Sequence, residues 1–516
     1  MSKVSILWAD DEIETLKPLI LYLEKKDYQV IPVSNGHDAL DKLKAGEAID
    51  VIFLDESMPG ITGLEVLERI KKINTRIPVV MITKNEQEDV MEEAIGSQID
   101  DYLIKPVKPA QVLLTIKKMI DNKRLVLNKT ESSYQQEFRE LLMFINEIRD
   151  LEGWQEVYRR IVNWELRLDR SASIDMQDIL NMQKTEANAG FSKYVEERYR
   201  NWITDQELLM SNNLIKRKVL PHLKDELPVV FLLLDNLRYD QWKIIEPLIA
   251  DHYRIEEEDF YLSILPTSTQ YSRNAIFAGM MPGDIAKHYP EYWKNDAEEG
   301  GKNMYEEQLL GKQLDRLMHK EVSWSYRKIS RHHQAKQLED SVYDLLNNNL
   351  SAVVYNFIDM LSHARTEMEV LKELAGDERA YRGITLSWFR NSSLWNALKR
   401  LSERPHRLII TTDHGTIRVN QPSKVVADRD TTTNLRYKVG KKLKYKGNDV
   451  LAIKEPEKYG LPRPNLSSTF IFAKEDKFFL YPNNYNYYNN YYKDTFQHGG
   501  ISLEEMLCPY VSLVPR

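Results

Sequence analysis

Short apolar runs alternate with amphipathic stretches over the first part of the chain. Runs such as VSILWA, DVIFL and IPVVMIT have the length and β-branched content of buried strands, while LKPLILYLEKK and GLEVLERIKKI have the period of helices. This alternation, over residues 1–122, predicts a doubly wound parallel sheet with helices on both faces. In such a sheet, functional sites lie beyond the carboxyl ends of the strands.

The hydrophobic period then changes twice. Over residues 123–224, FRELLMFINEIRDLEGWQEVYRRIVNWELRL has helical spacing without strand signals, which predicts a helical bundle linker domain. We interpret Trp154, Tyr158 and Trp164 in this stretch as packing residues. Over residues 225–516 strand-like runs return, such as VVFLLL, SAVVYNF and RLIITT, and they predict a second α/β domain with long insertions.

Composition and charge exclude several classes of protein. The chain has 516 residues and a formal net charge of −7, which argues against sequence-blind binding of duplex DNA. Cys508 is the single cysteine, so a metal would be held by histidine and carboxylates. The apolar runs are too short to cross a bilayer, and acidic residues come too early for a secretory signal. We therefore expect a cytoplasmic protein without membrane insertion.

Polar side chains follow the predicted strands of the first domain. Asp10 and Asp11 follow VSILWA, Asp55 follows DVIFL, Thr83 closes IPVVMIT, and Lys105 ends DYLIK. Three clustered carboxylates suit Mg²⁺, which prefers oxygen ligands and keeps waters for a phosphoryl group. The metal and Lys105 would neutralise a transferring phosphoryl group, which makes Asp55 the predicted acceptor.

This arrangement resembles the receiver domain of two-component response regulators. The resemblance implies that Asp10 and Asp11 hold one Mg²⁺ with Asp55, and that a sensor histidine kinase is the partner that phosphorylates Asp55. It also implies that Thr83 senses the phosphate, that Tyr102 is an aromatic switch that turns inward, and that phosphorylation creates a homodimer. The alternative is a degenerate receiver in which the acidic residues are solvated strand ends.

Aspartate and histidine side chains also follow the strands of the last domain. They are Asp235, Asp359, His363, Asp413, His414 and His498. A spacing of four places Asp359 and His363 on one helix face, and a turn at Gly415 would bring both Asp413 and His414 to the rim of the sheet. These side chains divide into two mixed nitrogen and oxygen sets, although a single Asp-His pair is also common as a hydrogen-bonded core pair.

A hydroxyl nucleophile has three candidates in ILPTSTQYSRN, namely Thr267, Ser268 and Thr269. Zinc lowers the pKa of a bound water from about 15.7 to about 7. It lowers the pKa of a bound hydroxyl group in the same way, which favours the alkoxide. Two cations about 4 Å apart would stabilise the attacking and leaving oxygens of a displacement at phosphorus. The segment therefore predicts metal-assisted attack on a phosphate ester.

These residues, in this order, resemble the alkaline phosphatase superfamily. The resemblance implies one metal at Asp359, His363 and His498, and a second at a set that includes the nucleophile. That second set is Asp235, Asp413, His414 and Thr269. The nucleotide pyrophosphatase/phosphodiesterase pattern assigns attack to Thr269, with Thr267 as the runner-up. Arg273 or Asn274 would donate to a phosphate oxygen, and no formylglycine sulfatase signature is present.

The full length resembles the response regulators with a PglZ domain found in bacteria that use type IX secretion. That resemblance implies a zinc-dependent phosphodiesterase, with two Zn²⁺ per effector domain, that acts on cyclic or linear oligonucleotides. It also implies a dimer on phosphorylation and a secretion-system or sigma-factor partner. The alternatives are a non-enzymatic signalling adaptor with a structural metal site and a DNA-binding regulator, which the acidic balance disfavours.

Weaker signals have two interpretations each. The run YPNNYNYYNNYYKD, residues 481–494, is interpreted as a solvated loop, or as aromatic faces on which nucleobases stack. The lysine-rich segment at residues 437–449 is either an exposed insertion or a contact for substrate phosphates. His332 and His333 are predicted to be surface residues, and Cys508 a buried apolar residue.

Overall fold

The structure, a computed structural model, describes residues 4–74, 77–84, 99–171, 174–205, 208–224, 227–318, 321–367, 376–428 and 431–516. The chain divides into two compact units, residues 1–135 and 136–516. Met1 and Asp225, where two of the predicted domains begin, lie outside the described residues. The predicted boundaries near residues 122 and 224 stay a prediction.

The first unit contains a five-stranded sheet of order β2-β1-β3-β4-β5, in which every pairing is parallel. Its strands are β1 (Val4–Ala9), β2 (Tyr28–Val33), β3 (Val51–Asp55), β4 (Val79–Thr83) and β5 (Asp101–Ile104). Its helices include α1 (Lys17–Glu24), α2 (Gly36–Lys44) and α3 (Gly63–Ile73), and α4 (Pro109–Glu147) spans the division between the units.

Side-chain alternation along β1 explains why both faces of this sheet are covered. Leu7 and Ala9 belong to one buried cluster, whereas Ile6 and Trp8 belong to another. Successive side chains of a strand point to opposite faces, so a parallel sheet with apolar residues at every position needs helices on both sides. The predicted doubly wound fold of the first domain is confirmed.

The second unit begins with long helices, α5 (Leu151–Ser171) and α6 (Ile174–Asp205). Trp154, Tyr158 and Trp164 are all buried, which confirms the packing role predicted for them. A Cβ at Gly190 would lie 2.6 Å from the Trp154 ring, so glycine permits the close contact of α5 with α6. Trp154 packs against Phe191 of α6, whereas Tyr158 packs against Tyr239 and Phe260 further along the chain.

A six-stranded sheet of order β7-β18-β10-β6-β9-β8 forms the centre of the second unit. Its strands are β6 (Val229–Leu234), β7 (Tyr253–Leu262), β8 (Trp324–Ile329), β9 (Leu350–Tyr355), β10 (Arg407–Thr411) and β18 (Leu507–Pro515). The strands β10, β6, β9 and β8 run parallel, whereas β18 is antiparallel to both of its neighbours. The sheet is therefore mixed, and its central strand β6 is buried throughout.

Smaller sheets and further helices surround this sheet. The additional strands are β11 (Ile417–Arg418), β12 (Gln421–Lys424), β13 (Tyr437–Gly440), β14 (Val450–Ile453), β15 (Thr469–Ala473), β16 (Lys477–Leu480) and β17 (Phe496–Gln497). They pair as β11-β17, β12-β16 and β13-β15-β14. The helices are α7 (Tyr239–Ala250), α8 (Thr269–Ala278), α9 (Pro282–His288), α10 (Glu306–Leu317), α11 (His332–Asp340), α12 (Phe357–Glu367), α13 (Glu378–Arg390), α14 (Ser393–Leu401), α15 (Tyr485–Tyr492) and α16 (Leu503–Met506).

The asparagine and tyrosine run near the C-terminus forms a helix, α15, and the prediction of a loop there was wrong. Both residue types have modest helix propensity, so the local sequence favours a loop. Tertiary contacts decide otherwise, because Tyr485 and Tyr492 pack against a buried cluster that contains Ile417 and Phe478. The helix is nevertheless solvated, since none of its residues is buried.

Ion pairs join the long helices to each other and to α13 and α16 within the second unit. Lys184 on α6 lies 2.9 Å from Glu165 and 3.0 Å from Glu504, which belongs to α16. Arg382 on α13 lies 2.8 Å from Asp169 at the end of α5. Removing one partner of a buried pair leaves an uncompensated charge, so these contacts hold the helices firmly in place.

Candidate metal centres

Three neighbouring parallel strands end in ligand-type side chains at one edge of the six-stranded sheet. Asp235 follows β6, Asp413 and His414 come just after β10, and Asp359 lies in the first turn of α12, directly after β9. Because β6 pairs in parallel with both β10 and β9, the carboxyl ends of the three strands meet. His498 reaches the same edge after the short strand β17.

The first ligand set is Asp359, His363 and His498, whose ligand atoms all lie within 4.8 Å of one another. The Asp359 carboxylate is 3.5 Å from His363 Nε2 and 3.8 Å from His498 Nε2. The spacing of four places Asp359 and His363 one turn apart on α12, as predicted. The His363 side chain is 61% exposed, so one side of this set faces solvent.

The second ligand set is Asp235, Asp413 and His414, and it is fully buried. His414 Nε2 lies 4.0 Å from Asp235 Oδ1 and 3.8 Å from Asp413 Oδ2. The imidazole rings of His414 and His498 stack with their centroids 4.2 Å apart. The two sets are therefore adjacent, and the structure brings together all six ligand-type residues predicted for this domain.

Hydrogen bonds orient two of the imidazole rings. His498 Nδ1–H donates to the carbonyl of Thr267 at 3.1 Å, and His414 Nδ1–H donates to the carbonyl of Gly415 at 3.2 Å. Each bond leaves Nε2 with its lone pair toward the ligand sets. Burial, followed by the neighbouring His414, lowers the pKa of His498 to about 3. His498 is therefore neutral near pH 7, which is the form that binds a metal.

The buried guanidinium of Arg273 lies behind the second ligand set. Its Nε donates to Asp413 Oδ2 at 2.9 Å, the guanidinium forms an ion pair with Asp235, and Nη1 lies 3.4 Å from Glu306 Oε1. Burial acts to raise the pKa of Asp413, but the charge of Arg273 together with His414 and the hydrogen bonds to the carboxylate outweighs burial, and the pKa is lowered to about 2. Arg273 therefore keeps this carboxylate charged and oriented.

These contacts differ from the role predicted for Arg273 and Asn274. Donation to a phosphate oxygen was expected, yet Arg273 pairs with the ligand carboxylates and the Asn274 amide donates to a backbone carbonyl at 3.1 Å. Both side chains are buried, as is every residue of α8 from Gln270 to Ala278. The sequence alone does not reveal that the polar residues of this helix contact distant buried groups.

Thr269 is the candidate hydroxyl nearest to the ligand sets. Its Oγ1 lies 3.2 Å from His414 Nε2, and the residue is partly exposed. Thr269 is the first residue of α8, where backbone N–H groups lack intrahelical partners and favour negative charge. A phosphoryl group bound at this hydroxyl would lie next to those backbone N–H groups.

The two rival hydroxyls are less available. Thr267 is fully buried, donates to the carbonyl of Gly500 at 2.9 Å and accepts from Gly499 N–H at 3.0 Å. These bonds fasten the loop that carries His498. Ser268 occupies the N-cap position of α8 and is 5% exposed. Among the three candidates the geometry favours Thr269.

Asn236 is a functional candidate that sequence reasoning missed. Its Nδ2 lies 3.3 Å from Asp359 Oδ1 and its backbone N–H lies 3.4 Å from Asp413 Oδ1, so it connects the two sets. Its φ of 67° is left-handed, a conformation that asparagine tolerates better than most residues. An asparagine directly after a strand-end aspartate is the signal that would have found it.

Glycine is required at position 415 by close packing, and not by the turn that was predicted there. A Cβ at this position would lie 2.1 Å from the backbone carbonyl oxygen of Glu504. The segment after His414 therefore passes so close to α16 that only glycine fits without displacement of the backbone. The close packing fixes the position of Asp413 and His414.

The receiver site lies at the carboxyl edge of the five-stranded sheet. Ligand atoms of Asp10, Asp11 and Asp55 lie within 4.8 Å of one another, and Lys105 Nζ is 2.9 Å from both Asp10 and Asp55. Burial raises the pKa of Asp55 despite the hydrogen bond from Lys105. The predicted acceptor, carboxylates and lysine are thus in mutual contact.

The predicted switch residues of the receiver lie on the adjacent strands β4 and β5, where Thr83 pairs with Ile104 and Tyr102 with Met81. Thr83 is buried, and its hydroxyl donates a hydrogen bond to Glu56, the residue after Asp55. The Tyr102 side chain is 40% exposed, so it is turned outward. The sequence reasoning did not include Glu56, although its position directly after the acceptor was a usable signal.

The residues of both sites fit the metals that the resemblances imply. Histidine with carboxylate suits zinc, and carboxylates alone suit magnesium. Within the described part of the chain, Asp235 Oδ1 and Asp55 Oδ1 are buried without a hydrogen-bond partner. A buried acceptor without a partner costs free energy, and a cation bound at each site would give each of these oxygens a partner.

Two weaker predictions are confirmed. His332 and His333 are exposed at the start of α11, and Cys508 is a buried free thiol. The lysine-rich segment contains both buried and exposed lysines. Lys438 is buried on β13, whereas Lys441 and Lys442 are exposed. Across the residues that the structure describes, no helix is both long and apolar enough to cross a membrane.

Three family models match this chain in succession. The response regulator receiver domain matches residues 6–117, and the PorX response regulator linker domain matches residues 124–203. The BREX system PglZ alkaline phosphatase-like domain matches residues 214–513, more than half of the chain. The chain belongs to the PglZ family. The order of the matches is that of a PorX-type response regulator with a PglZ domain, which confirms the resemblance and the predicted fold class.

Individual relatives match the first part of the chain. The transcriptional regulatory protein ResD of Bacillus subtilis is 33% identical over 120 residues, which cover 23% of this chain and 49% of ResD. The alkaline phosphatase synthesis transcriptional regulatory protein PhoP of Bacillus subtilis is 30% identical over 164 residues, 31% of this chain and 66% of PhoP. The chain thus spans about half to two thirds of the length of these relatives.

Solved structures match the same region. A response regulator receiver domain protein from Clostridium thermocellum is 29% identical and covers 24% of this chain and 98% of its own, with a TM-score of 0.23. The response regulator TrrA from Thermotoga maritima, solved with Mg²⁺ and BeF, is 28% identical over 22% of this chain and 98% of its own, with a TM-score of 0.21. The receiver fold itself rests on the sheet order and the family match.

Proposed function

We propose that this response regulator carries a zinc-dependent phosphodiesterase that acts on cyclic or linear oligonucleotides. The observation that carries the proposal is the meeting of two three-residue ligand sets beside one partly exposed hydroxyl, that of Thr269. Two cation sites next to a nucleophile suit in-line displacement at phosphorus. The alkaline phosphatase-like family match supports the same class of reaction.

Each ligand set would hold one zinc ion. Asp359, His363 and His498 would hold one zinc ion, and the buried set at Asp235, Asp413 and His414 would hold the other beside Thr269. When bound, the zinc ions would lower the pKa of a coordinated hydroxyl and offset negative charge at phosphorus.

Thr269 Oγ1 would form a bond to phosphorus while the bond to the leaving oxygen breaks. Its proton would pass to solvent, the leaving oxygen would take up a proton, and the remaining nucleotide would stay joined to Thr269 through a phosphodiester. Water would then cleave the bond between phosphorus and Thr269 Oγ1, which restores the hydroxyl and releases a phosphate monoester. The free N–H groups at the start of α8 would stabilise the phosphoryl oxygens, because they are preorganised before the reaction. Arg273 would position Asp235 and Asp413 without contacting the substrate.

The receiver would supply the input. A sensor histidine kinase would phosphorylate Asp55, with one Mg²⁺ held by Asp10, Asp11 and Asp55 itself. The added charge of about −1.5 to −2 would draw Lys105 and Thr83 toward the phosphoryl group, and Tyr102 would turn inward. These movements would favour a homodimer and thereby regulate type IX secretion, through a secretion-system or sigma-factor partner.

The decisive experiment measures zinc content and turnover together. We expect the zinc-loaded full chain to hold two zinc ions in its effector domain and to hydrolyse a chromogenic phosphodiester. Thr269→Ala should keep the zinc and lose at least about 10³-fold in kcat, because the nucleophile is gone. Thr269→Ser, which keeps a hydroxyl, should recover most of the lost rate.

Two outcomes would contradict parts of the proposal. Stoichiometric zinc without turnover of any phosphodiester would support the non-enzymatic adaptor instead. Full activity of Thr269→Ala would contradict the covalent mechanism.

The proposed role of the receiver has its own test. Acetyl phosphate should convert the wild-type chain to a dimer in light scattering, whereas the oligomeric state of Asp55→Asn should stay unchanged, because the acceptor carboxylate is absent.

A further inference from the structure

The helix α15 presents an ordered array of tyrosine rings to solvent. The rings of Tyr487 and Tyr491 stack with centroids 6.3 Å apart and planes 14° apart, and those of Tyr488 and Tyr492 stack at 6.1 Å and 14°. The spacing of four places each pair on one side of the helix. Tyr487 is 65% exposed and Tyr488 is 39% exposed. We call this surface, formed by residues 485–492, the tyrosine helix.

Packing does not account for the exposed rings. Tyr485 and Tyr492 fasten the helix to a buried cluster, whereas the exposed Tyr487 lies on the opposite side by helical geometry. Large apolar rings grouped in solvent usually mark a binding surface. Tyrosine is well suited to that purpose because it offers contact area at low cost in side-chain entropy.

Exposed lysine side chains lie beside the tyrosine helix. Lys424 is exposed, and its Nζ lies 4.6 Å from the Tyr485 ring centroid. A β-bridge pairs Val426 with Lys444, which places the exposed lysine-rich segment beside the strand that carries Lys424. These cations are concentrated here although the chain as a whole has a net charge of −7. The surface therefore combines aromatic faces with positive charge.

The tyrosine helix is also close to the metal centres along the chain. His498 follows Tyr492 by six residues, and an extended chain spans at most about 3.6 Å per residue, so about 22 Å is the upper limit. The intervening strand β17 pairs with β11, which itself follows His414. At about 3.4 Å per stacked nucleotide, a strand of roughly six nucleotides covers that distance.

We propose that the tyrosine helix is a base-stacking subsite for a single-stranded oligonucleotide whose scissile phosphate lies at the metal centres. Bases stack on the Tyr487 and Tyr488 faces because every base has a π-face, so the subsite tolerates any sequence. Lys424 and the lysine-rich segment attract the phosphates, so binding weakens as salt rises. The proposal rests on the proposed phosphodiesterase function and adds to it a preference for longer single strands.

Binding without turnover provides the test. The zinc-loaded full chain with Thr269→Ala is titrated against a fluorescent hexa-adenylate, and the anisotropy gives Kd. Adding Tyr487→Ala and Tyr488→Ala should raise Kd at least about tenfold, because stacking on both rings is lost. Changing the same two residues to Phe should leave Kd within about twofold, because the aromatic faces remain.

A matched control is Tyr343→Ala. Tyr343 is likewise an aromatic residue beside cations, with Arg404 4.2 Å from its ring centroid, but it precedes β9 and so lies at the opposite edge of the sheet. Its Kd should equal that of the parent chain. The proposal is overturned if the double Ala change raises Kd by less than about twofold, or if Tyr343→Ala raises Kd as much.

Further outcomes separate this inference from the proposed function. Hydrolysis of a chromogenic diester without any binding of hexa-adenylate would overturn the subsite and leave the phosphodiesterase intact. Tyrosine-dependent binding without hydrolysis of any diester would overturn the phosphodiesterase and leave the subsite intact. Loss of self-association in the double Ala chain, with unchanged Kd, would make this surface an interface between copies and overturn the subsite.

Discussion

Replacing Arg273 by methionine is the change whose consequence follows most directly from the geometry. The guanidinium is fully buried and faces three carboxylates that are each at most 1% exposed, those of Asp235, Asp413 and Glu306. Methionine keeps much of the side-chain length but removes the positive charge. Without zinc, the variant would hold these carboxylates in a buried environment without the cation that they share.

The substitution should lower both the free energy of unfolding and the affinity for zinc. Removing one partner of a buried ion pair costs about 3–5 kcal/mol, so the metal-free Arg273→Met chain should lose about that much free energy of unfolding. Removing a group that orients metal ligands lowers metal affinity about 10–100-fold, which corresponds to about 1.4–2.7 kcal/mol. Saturating zinc should stabilise the variant less than it stabilises the wild type, because zinc binds only the folded chain and binds the variant more weakly.

Urea denaturation of the chelator-treated protein measures the free energy of unfolding, and competition with a fluorescent zinc chelator measures the affinity for zinc. Arg254→Met is the matched control, because Arg254 pairs with Glu256 at 2.9 Å but is 66% exposed. An exposed pair contributes at most about 1 kcal/mol, so that control should be nearly neutral. The reasoning is refuted if Arg273→Met loses less than about 1 kcal/mol without zinc, or binds zinc as tightly as the wild type.

Three further changes have expected outcomes. Glu56→Ala should increase the dimer fraction about two- to tenfold at limiting acetyl phosphate, measured by light scattering, because the hydrogen bond that holds the Thr83 hydroxyl is removed. Gly415→Ala should cost about 1–3 kcal/mol in urea denaturation and lower the zinc content, because its Cβ would lie 2.1 Å from a carbonyl oxygen, whereas Gly447→Ala, with nothing within 4 Å, should be neutral. Lys184→Met should lower the free energy of unfolding of the metal-free chain by about 3–5 kcal/mol, because the lysine lies between buried carboxylates, and an unchanged urea midpoint would contradict this.

The local pattern predicted the parallel sheet of the first domain, the α/β class of the second and the strand ends at which the candidate ligands lie. Apolar runs such as VVFLLL are too short for a helix and too apolar for a surface strand, so they predict buried parallel strands. Carboxylates and imidazoles directly after such runs are then placed at one edge by the topology alone. For that reason Asp235, Asp359 and Asp413 could be named before any contact was known.

The failures concern residues whose meaning depends on distant segments. Arg273 was expected to face the substrate, but its partners are separated from it along the chain by 33 residues at Glu306 and by 140 at Asp413. The tyrosine run was expected to be a loop, because local propensity does not include the buried cluster against which Tyr485 packs.

The amino-acid order by itself indicated the main buried strands, the supply of ligand-type side chains and the place of most of them at strand ends. It did so because hydrophobic periodicity and strand-end polarity are local properties of the chain. Only the tertiary structure decided which hydroxyl lies beside His414, which carboxylates share Arg273 and which tyrosines face solvent. Those outcomes depend on distances between segments far apart in the sequence, and such distances are set by the packing of the whole second unit.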